Sequence, residues 1–299
     1  MQKIFIKARD EYELELHVFD VKKSKAVIQL IHGMEEHQER YESFIKYLNK
    51  NGFSVVSSNL RGHGTNAPIL GHFKDKKGYI ELIEDQKAIT KYIKENFEQQ
   101  PIYIFAHSMG TIITRVLLEK HSTHYEKVVL SGYPNFQNGA YAGILVASAI
   151  KLLKGSKYKS KLLSQLSIGQ FNKAIDAPKT DVDWVCSSEE VVKNYIDDPY
   201  CGIGFTCSSF KDLYKLVISM HNPHNYRNVN NSLQILMLRG TEDPCTGGEL
   251  GAHDSRKILL KAGFQNIRHI DYQKMRHEIL NEKNKEQVYE DILKFYQEK

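Results

Sequence analysis

The residue of this chain best placed to act as a nucleophile is a serine lying between a strand pattern and a helix pattern. Ile102-Tyr103-Ile104-Phe105 runs into Ala106-His107-Ser108-Met109-Gly110, and Thr111 to Leu118 follows with the composition of a buried helix. Small-x-Ser-x-Gly at such a junction is the pattern of a nucleophile elbow, a turn so tight that the positions two before and two after the serine must carry little side chain. Ala106 and Gly110 meet that demand. The turn lifts Oγ of Ser108 off the sheet edge, and the first N–H groups of the next helix favour negative charge beside it. Alone, the motif fits a chance serine at a buried turn equally well.

A serine hydroxyl is a weak nucleophile at neutral pH and needs a base, an acid to orient that base, and donors for the developing oxyanion. In an elbow arrangement these follow in the order Ser, then Asp or Glu, then His. Asp243, in Gly240-Thr241-Glu242-Asp243-Pro244, comes directly after a strand pattern ending at Arg239. His277, in Met275-Arg276-His277-Glu278, follows the last strand pattern in the same way and is the base candidate. Three such residues at three strand ends in the required order are far more specific than one motif. Among competitors, Glu242 is the fallback acid, His253 and Asp254 fall within a helix pattern, His269 lies inside a strand, and His63 precedes Ser108 and shapes a loop. The backbone N–H groups of Met34 and Met109 are the candidate oxyanion donors, since one donor follows the nucleophile and the other sits in the loop after an earlier strand. His32, Gly33, Ala106, His107 and Gly110 are the supporting residues of this arrangement.

These residues require a sheet with its loops on one edge. Strand patterns cover Gln2 to Ala8, Tyr12 to Phe19, Ala26 to Ile31, Phe53 to Ser58, Pro101 to Phe105, Lys127 to Leu130, Leu233 to Arg239 and Asn266 to Tyr272. The first two read as an antiparallel pair. The later ones alternate with helix patterns, among them Glu39 to Asn51 and Tyr79 to Phe97, which implies a mostly parallel eight-stranded sheet wound by right-handed crossovers. The alternation stops between about Tyr133 and Asn228, where the chain is helical and irregular. The expected organisation is therefore an α/β core of residues 1–132 and 229–299 with a mostly helical cap insertion at 133–228, placed over the edge where open α/β sheets bind ligands.

Composition narrows the classes. An apolar fraction of 41% with 26% charged residues is that of a soluble globular protein. The net charge of +5 is spread among nearly equal acids and bases, so no nucleic-acid stripe emerges, and weak attraction to an anionic membrane surface is the most it allows. Cys186, Cys201, Cys207 and Cys245 lack metal-ligand spacing and read as free thiols of a reducing compartment. The N-terminus lacks a signal-peptide pattern and no run reaches the roughly 18 apolar residues of a membrane span, so the expectation is a cytoplasmic protein. Oligomeric state is not legible.

With those residues in view, the chain resembles the monoacylglycerol lipase and lysophospholipase branch of the α/β-hydrolases over nearly its whole length. His32-Gly33-Met34-Glu35-Glu36-His37 with Arg40-Tyr41 looks like that family's HGxxEHxxRY loop, Arg61-Gly62-His63-Gly64 like its RGHG loop, and Phe105 to Gly110 like its GHSMG elbow. Arg276-His277-Glu278-Ile279-Leu280-Asn281-Glu282 resembles the segment around the base, and Asp198-Pro199-Tyr200-Cys201-Gly202 a DPxCG signature of bacterial members. Ala106 replaces the first elbow glycine, Thr111 follows Gly110 where the family has a second glycine, and Asn59 stands where Asp is common.

The resemblance implies an α/β-hydrolase fold and a serine carboxylic-ester hydrolase acting on a fatty-acyl ester of a monoacylglycerol or lysophospholipid, under a helical cap, with no cofactor and no metal. A thioesterase, short-chain esterase or peptidase on the same triad is the alternative within hydrolases, and an inactive binding protein on the same fold the alternative outside them. Within the insertion, Tyr141 to Ala147 is apolar almost all round, and Lys151, Lys154, Lys157, Lys159 and Lys161 follow. That pattern suits an acyl tunnel with a basic rim that meets lipid aggregates. It equally suits a helix that simply buries itself against the main domain, the commoner fate of helices apolar on all sides.

Overall fold

The computed structural model describes residues 1–298. The chain opens with β1 (Gln2–Lys7) and β2 (Glu13–Phe19), then alternates β3 (Val27–Ile31), α1 (Glu42–Lys50), β4 (Ser54–Ser58), α2 (Gly78–Asn96), β5 (Ile102–His107), α3 (Met109–His121) and β6 (Lys127–Ser131). Four helices follow before the next strand: α4 (Gly139–Lys154), α5 (Lys161–Ser167), α6 (Glu189–Asp197) and α7 (Cys207–Met220). The last part is β7 (Gln234–Gly240), α8 (Gly248–Ala262), β8 (Asn266–Tyr272) and α9 (Lys285–Gln297). The strands form one eight-stranded sheet in the order β1-β2-β4-β3-β5-β6-β7-β8. β1–β2 and β2–β4 are antiparallel, and every later pairing is parallel.

The central strands are covered on both faces, so they read as continuous apolar runs rather than alternations. In β5 the side chains alternate between two cores. Ile102, Ile104 and Ala106 pack with Ile89 and Ile93 of α2 and Ile113 and Leu117 of α3. Tyr103 and Phe105 pack on the other face with Phe44 and Leu48 of α1 and Ile292 and Tyr296 of α9. Because β3, β5, β7 and β8 run parallel, their carboxyl ends share one edge. The segments that begin at His32, Ser108, Thr241 and Gln273 all leave the sheet there.

Two expectations need correction. The helix read from Glu39 starts later, because Gln38–Tyr41 forms a 3-10 turn before α1. The Tyr41 hydroxyl donates to Glu36 at 2.7 Å, which ties this stretch to the loop after β3. The apolar helix at Tyr141 to Ala147 is buried on one side only. α4 presents Ala140, Gly143 and Ala147 inward, packing on α7, while Tyr141 is 58% exposed, Leu145 73%, Leu152 87% and Leu153 80%. No helix among the described residues is long and apolar enough to cross a membrane. The four cysteines are free and buried.

The elbow depends on a close approach between α3 and β3. A Cβ on Gly110 would lie 2.3 Å from the Ile31 carbonyl oxygen and 2.7 Å from that of His32, both backbone atoms that cannot rotate aside. Ala106 fits because its methyl lies in the core, fully buried. Gly110→Ala is therefore expected to cost about 3 kcal/mol or more of unfolding free energy, at the upper end of overpacking, because backbone must move. Ala106→Gly is expected to cost only about 1 kcal/mol. Urea titration of both variants checks this, and equal losses would contradict it.

Candidate active site

Ser108 sits between β5 and α3 with φ 50° and ψ −121°, a backbone state that residues with a side chain rarely occupy. Its N–H is held by the Ser131 carbonyl at 2.9 Å, at the end of β6. The side chain meets His277, whose Nε2 lies 2.8 Å from Ser108 Oγ, and Nδ1 of His277 lies 2.9 Å from Asp243 Oδ2. A carboxylate only accepts, so Nδ1 carries the proton and Nε2 accepts from the serine hydroxyl. The other oxygen of Asp243, Oδ1, accepts the Cys245 N–H at 2.8 Å. Burial works against charge on His277, but the Asp243 carboxylate, with Glu278 and Glu36 farther off, holds its pKa above the ordinary value. His107, whose ring centroid is 4.7 Å from that of His277, is pushed down to about 4 by burial and by His277.

The loop after β3 is set by two neutral imidazoles. His32 Nε2 accepts the Leu60 N–H at 2.9 Å, so its Nδ1 bears hydrogen and donates to the Gly33 carbonyl at 2.8 Å. The Gly33–Met34 peptide is planar and trans, so fixing that carbonyl fixes the opposite direction of the Met34 N–H. His63 Nε2 accepts the Glu35 N–H at 3.2 Å and holds the next peptide. Burial lowers both imidazoles to about 3, which keeps them neutral and able to accept. Met109, first residue of α3, supplies one of the N–H groups that a helix start leaves without an internal partner. Both Met34 and Met109 line the cavity beside Ser108.

Glu36 closes the loop. Its Oε1 accepts from Gly33 N–H and the Tyr41 hydroxyl, and its Oε2 from Arg40 at 2.8 Å. Arg40 also forks onto Glu278 at 2.5 and 2.7 Å, which ties the loop to the residue after His277. From the other side, Trp184 and Val185, in the stretch between α5 and α6, accept the backbone N–H groups of His277 and Glu278 at 3.4 and 2.8 Å. Among the competitors, Glu242 is exposed and His269 faces outward next to Asp271. His253 is exposed on α8, and Asp254 bonds to His221. The amide oxygen of Asn59 accepts the Gln38 N–H at 3.0 Å, a bond that an aspartate oxygen would make equally.

A cavity of about 330 Å³ opens over Ser108. Its lining includes the apolar Ala142, Val146, Leu166, Leu213 and Val217 from α4, α5 and α7, together with Glu35, Glu36, Glu278, Trp184 and Tyr195. Sequence reasoning missed Trp184, Tyr195 and Glu35, since only their folded neighbours place them here. Two clusters here have ligating atoms within 4.8 Å of one another, Asp243, Cys245 and His277, and His37, Asp198 and Cys201, and a metal fits neither well, since both ring nitrogens of His277 are taken by Asp243 and Ser108. His37 bonds Glu39 at 2.6 Å and Asp198 at 2.8 Å with its two ring nitrogens, which suits a paired imidazolium rather than a metal ligand.

Known proteins share this architecture. The chain is 24% identical over 271 residues to a monoacylglycerol lipase of Mycolicibacterium smegmatis, covering 90% of this chain and 86% of that one. A carboxyl esterase of Bacillus coagulans superposes with a TM-score of 0.91 at 23% identity, over 99% of this chain and 97% of the other. A Paleococcus ferrophilus monoacylglycerol lipase superposes with a TM-score of 0.74 at 19% identity, over 95% and 98%. These superpositions show the α/β-hydrolase fold. Residues 22–284 match the family described as "Serine aminopeptidase, S33", and the chain is accordingly a member of that hydrolase family.

Proposed function

We propose that the chain is a serine ester hydrolase that cleaves a fatty-acyl ester of a monoacylglycerol or lysophospholipid. The observation that carries the reading is the hydrogen-bonded Ser108–His277–Asp243 series, whose Ser108 and His277 line a cavity with apolar side chains in its wall. In this reading Ser108 Oγ attacks the acyl carbonyl carbon as His277 Nε2 takes its proton. Asp243 keeps the tautomer and stabilises the imidazolium. Met34 and Met109 N–H groups hold the tetrahedral oxyanion, each such donor being worth about 10²–10³ in turnover. Collapse breaks the ester bond, and the leaving alkoxide takes the proton from His277. A water then gives its proton to His277 and its oxygen to the acyl carbon, releasing the fatty acid and restoring Ser108.

Residues 133–228 act in this reading as a cap over the core formed by 1–132 and 229–299. The apolar side chains that α4, α5 and α7 bring to the cavity support a fatty-acyl chain over an acetyl group or a peptide. The exposed Leu145, Leu152 and Leu153 beside the exposed Lys154 support transient contact with lipid aggregates, apolar side chains entering the surface and the ammonium group meeting its anions.

Three outcomes are expected. With p-nitrophenyl esters, kcat/KM rises from acetate to medium and long acyl chains, since each buried methylene contributes up to about 0.8 kcal/mol. A preference for acetate, or for peptides, contradicts the substrate class. Ser108→Ala lowers kcat by about 10⁴–10⁶-fold with little change in melting temperature, and substantial residual esterase activity would place the nucleophile elsewhere. The attack needs neutral His277, whose pKa is raised above 6.5, so the rate is low in acid and climbs through a midpoint above 6.5 in a pH profile of kcat/KM. A midpoint below that value would remove the Asp243 carboxylate from its role.

A further inference from the structure

Besides the two groups bonded to its nitrogens, the His277 imidazole meets two aromatic rings. His107 lies with ring centroids 4.7 Å apart, and Trp184 with centroids 4.8 Å apart and planes inclined by 43°. Burial pushes His107 down to about 4, so both rings are uncharged at neutral pH. The charged groups that face His277 are Asp243 on the loop after β7, Glu278 beside it and Glu36 on the loop after β3, with Arg40 bonded to both glutamates. Arg276 turns its guanidinium to the carbonyls of Asp183 and Cys186, and the Asp183 carboxylate turns to Thr180. Trp184 is fixed in place by its backbone. The carbonyls of Asp183, Trp184, Val185 and Cys186 accept in turn from Arg276 Nη1 at 2.7 Å, His277 N–H at 3.4 Å, Glu278 N–H at 2.8 Å and Arg276 Nη1 at 3.2 Å. Asn172 Oδ1 takes the Trp184 N–H at 3.1 Å, and Phe171 packs on the indole with centroids 4.9 Å apart.

We propose that Trp184 is a positioning residue whose indole stabilises, through a cation–π contact, the His277 imidazolium formed when Ser108 gives up its proton. This rests on the ester-hydrolase reading above and adds to it a residue from the stretch between α5 and α6. Indole is the strongest side-chain partner for a cation, and the attraction reaches to about 6 Å from the ring centroid. It acts on the cation and hardly on neutral imidazole, so the contact strengthens as the attack proceeds, which is the condition for raising a rate. The proton from Ser108 Oγ rests on His277 Nε2 until the leaving alkoxide takes it, and the indole stabilises the base over that interval. The four carbonyls of 183–186 keep the two rings in register, since they grip the backbone of the base itself. An indole that served only as an apolar cover would act in the opposite sense, because excluding water disfavours the imidazolium. The two roles therefore differ in sign.

Two measurements on the wild type, Trp184→Phe and Trp184→Leu test this: the pH profile of kcat/KM with p-nitrophenyl octanoate, and the NMR titration of the His277 ring. Leucine keeps an apolar side chain without a π face. In Trp184→Leu both midpoints are expected to fall by about 0.7 pH unit, and the plateau of kcat by up to about fivefold, the size of one such contact. Trp184→Phe keeps a weaker face and falls between. A midpoint in Trp184→Leu that stays in place or rises overturns the proposal, a rise being the signature of an indole that only excludes water. A larger KM at an unchanged midpoint overturns it in favour of direct contact with substrate. A lower melting temperature at an unchanged midpoint overturns it in favour of a purely structural role. The NMR titration needs no substrate, so a wild type that cleaves no ester defeats the ester-hydrolase reading, while the His277 midpoints still decide what Trp184 does.

Discussion

The backbone turn at Ser108 is the constraint on which the other parts depend. With φ 50° and ψ −121°, the serine occupies a state that its side chain disfavours, and it stays there because both flanks are fixed. β5 is locked between β3 and β6, and α3 presses Gly110 against the carbonyl end of β3. The same contact brings the start of α3 beside the loop after β3, so Met34 and Met109 N–H groups line one cavity wall. Relaxing the turn would cost sheet pairing and core packing at once. This is how a strain of a few kcal/mol at one residue persists in a folded chain.

Charge around the turn is arranged with similar economy. Imidazoles and carboxyls crowd a small buried volume, yet most are neutral or paired. His32, His63 and His107 are kept unprotonated by burial, while Arg40 offsets Glu36 and Glu278 together. His277 departs from this pattern, its affinity for a proton raised by Asp243 despite burial. A base that gains a proton more readily than its neighbours is what general-base chemistry at neutral pH requires.

Much of the scaffold was legible because its signals are local. β3 to β6 are apolar runs bounded by polar turns, and the parallel order follows from helix-length connections. Ser108, Asp243 and His277 stood out because each follows a strand pattern, and parallel strands deliver such residues to one edge. The rest depends on tertiary neighbours. Glu35 is an unremarked position in a loop until the fold buries it, and Trp184 touches the His277 loop only because a distant segment returns there. The apolar run in α4 misled for a related reason. Periodicity shows that a helix has no polar face, but not which of its faces finds a partner, and here Leu145 and Leu152 lie exposed.

The central claim, that Ser108 is a nucleophile activated by its folded surroundings, is tested most directly by exposing the protein to a fluorophosphonate probe and mapping the adduct by mass spectrometry. An activated Ser108 predicts one covalent adduct on its Oγ, formed in the folded protein and lost on denaturation or in His277→Ala. No adduct in folded protein, or labelling of other serines at the same rate, would contradict it.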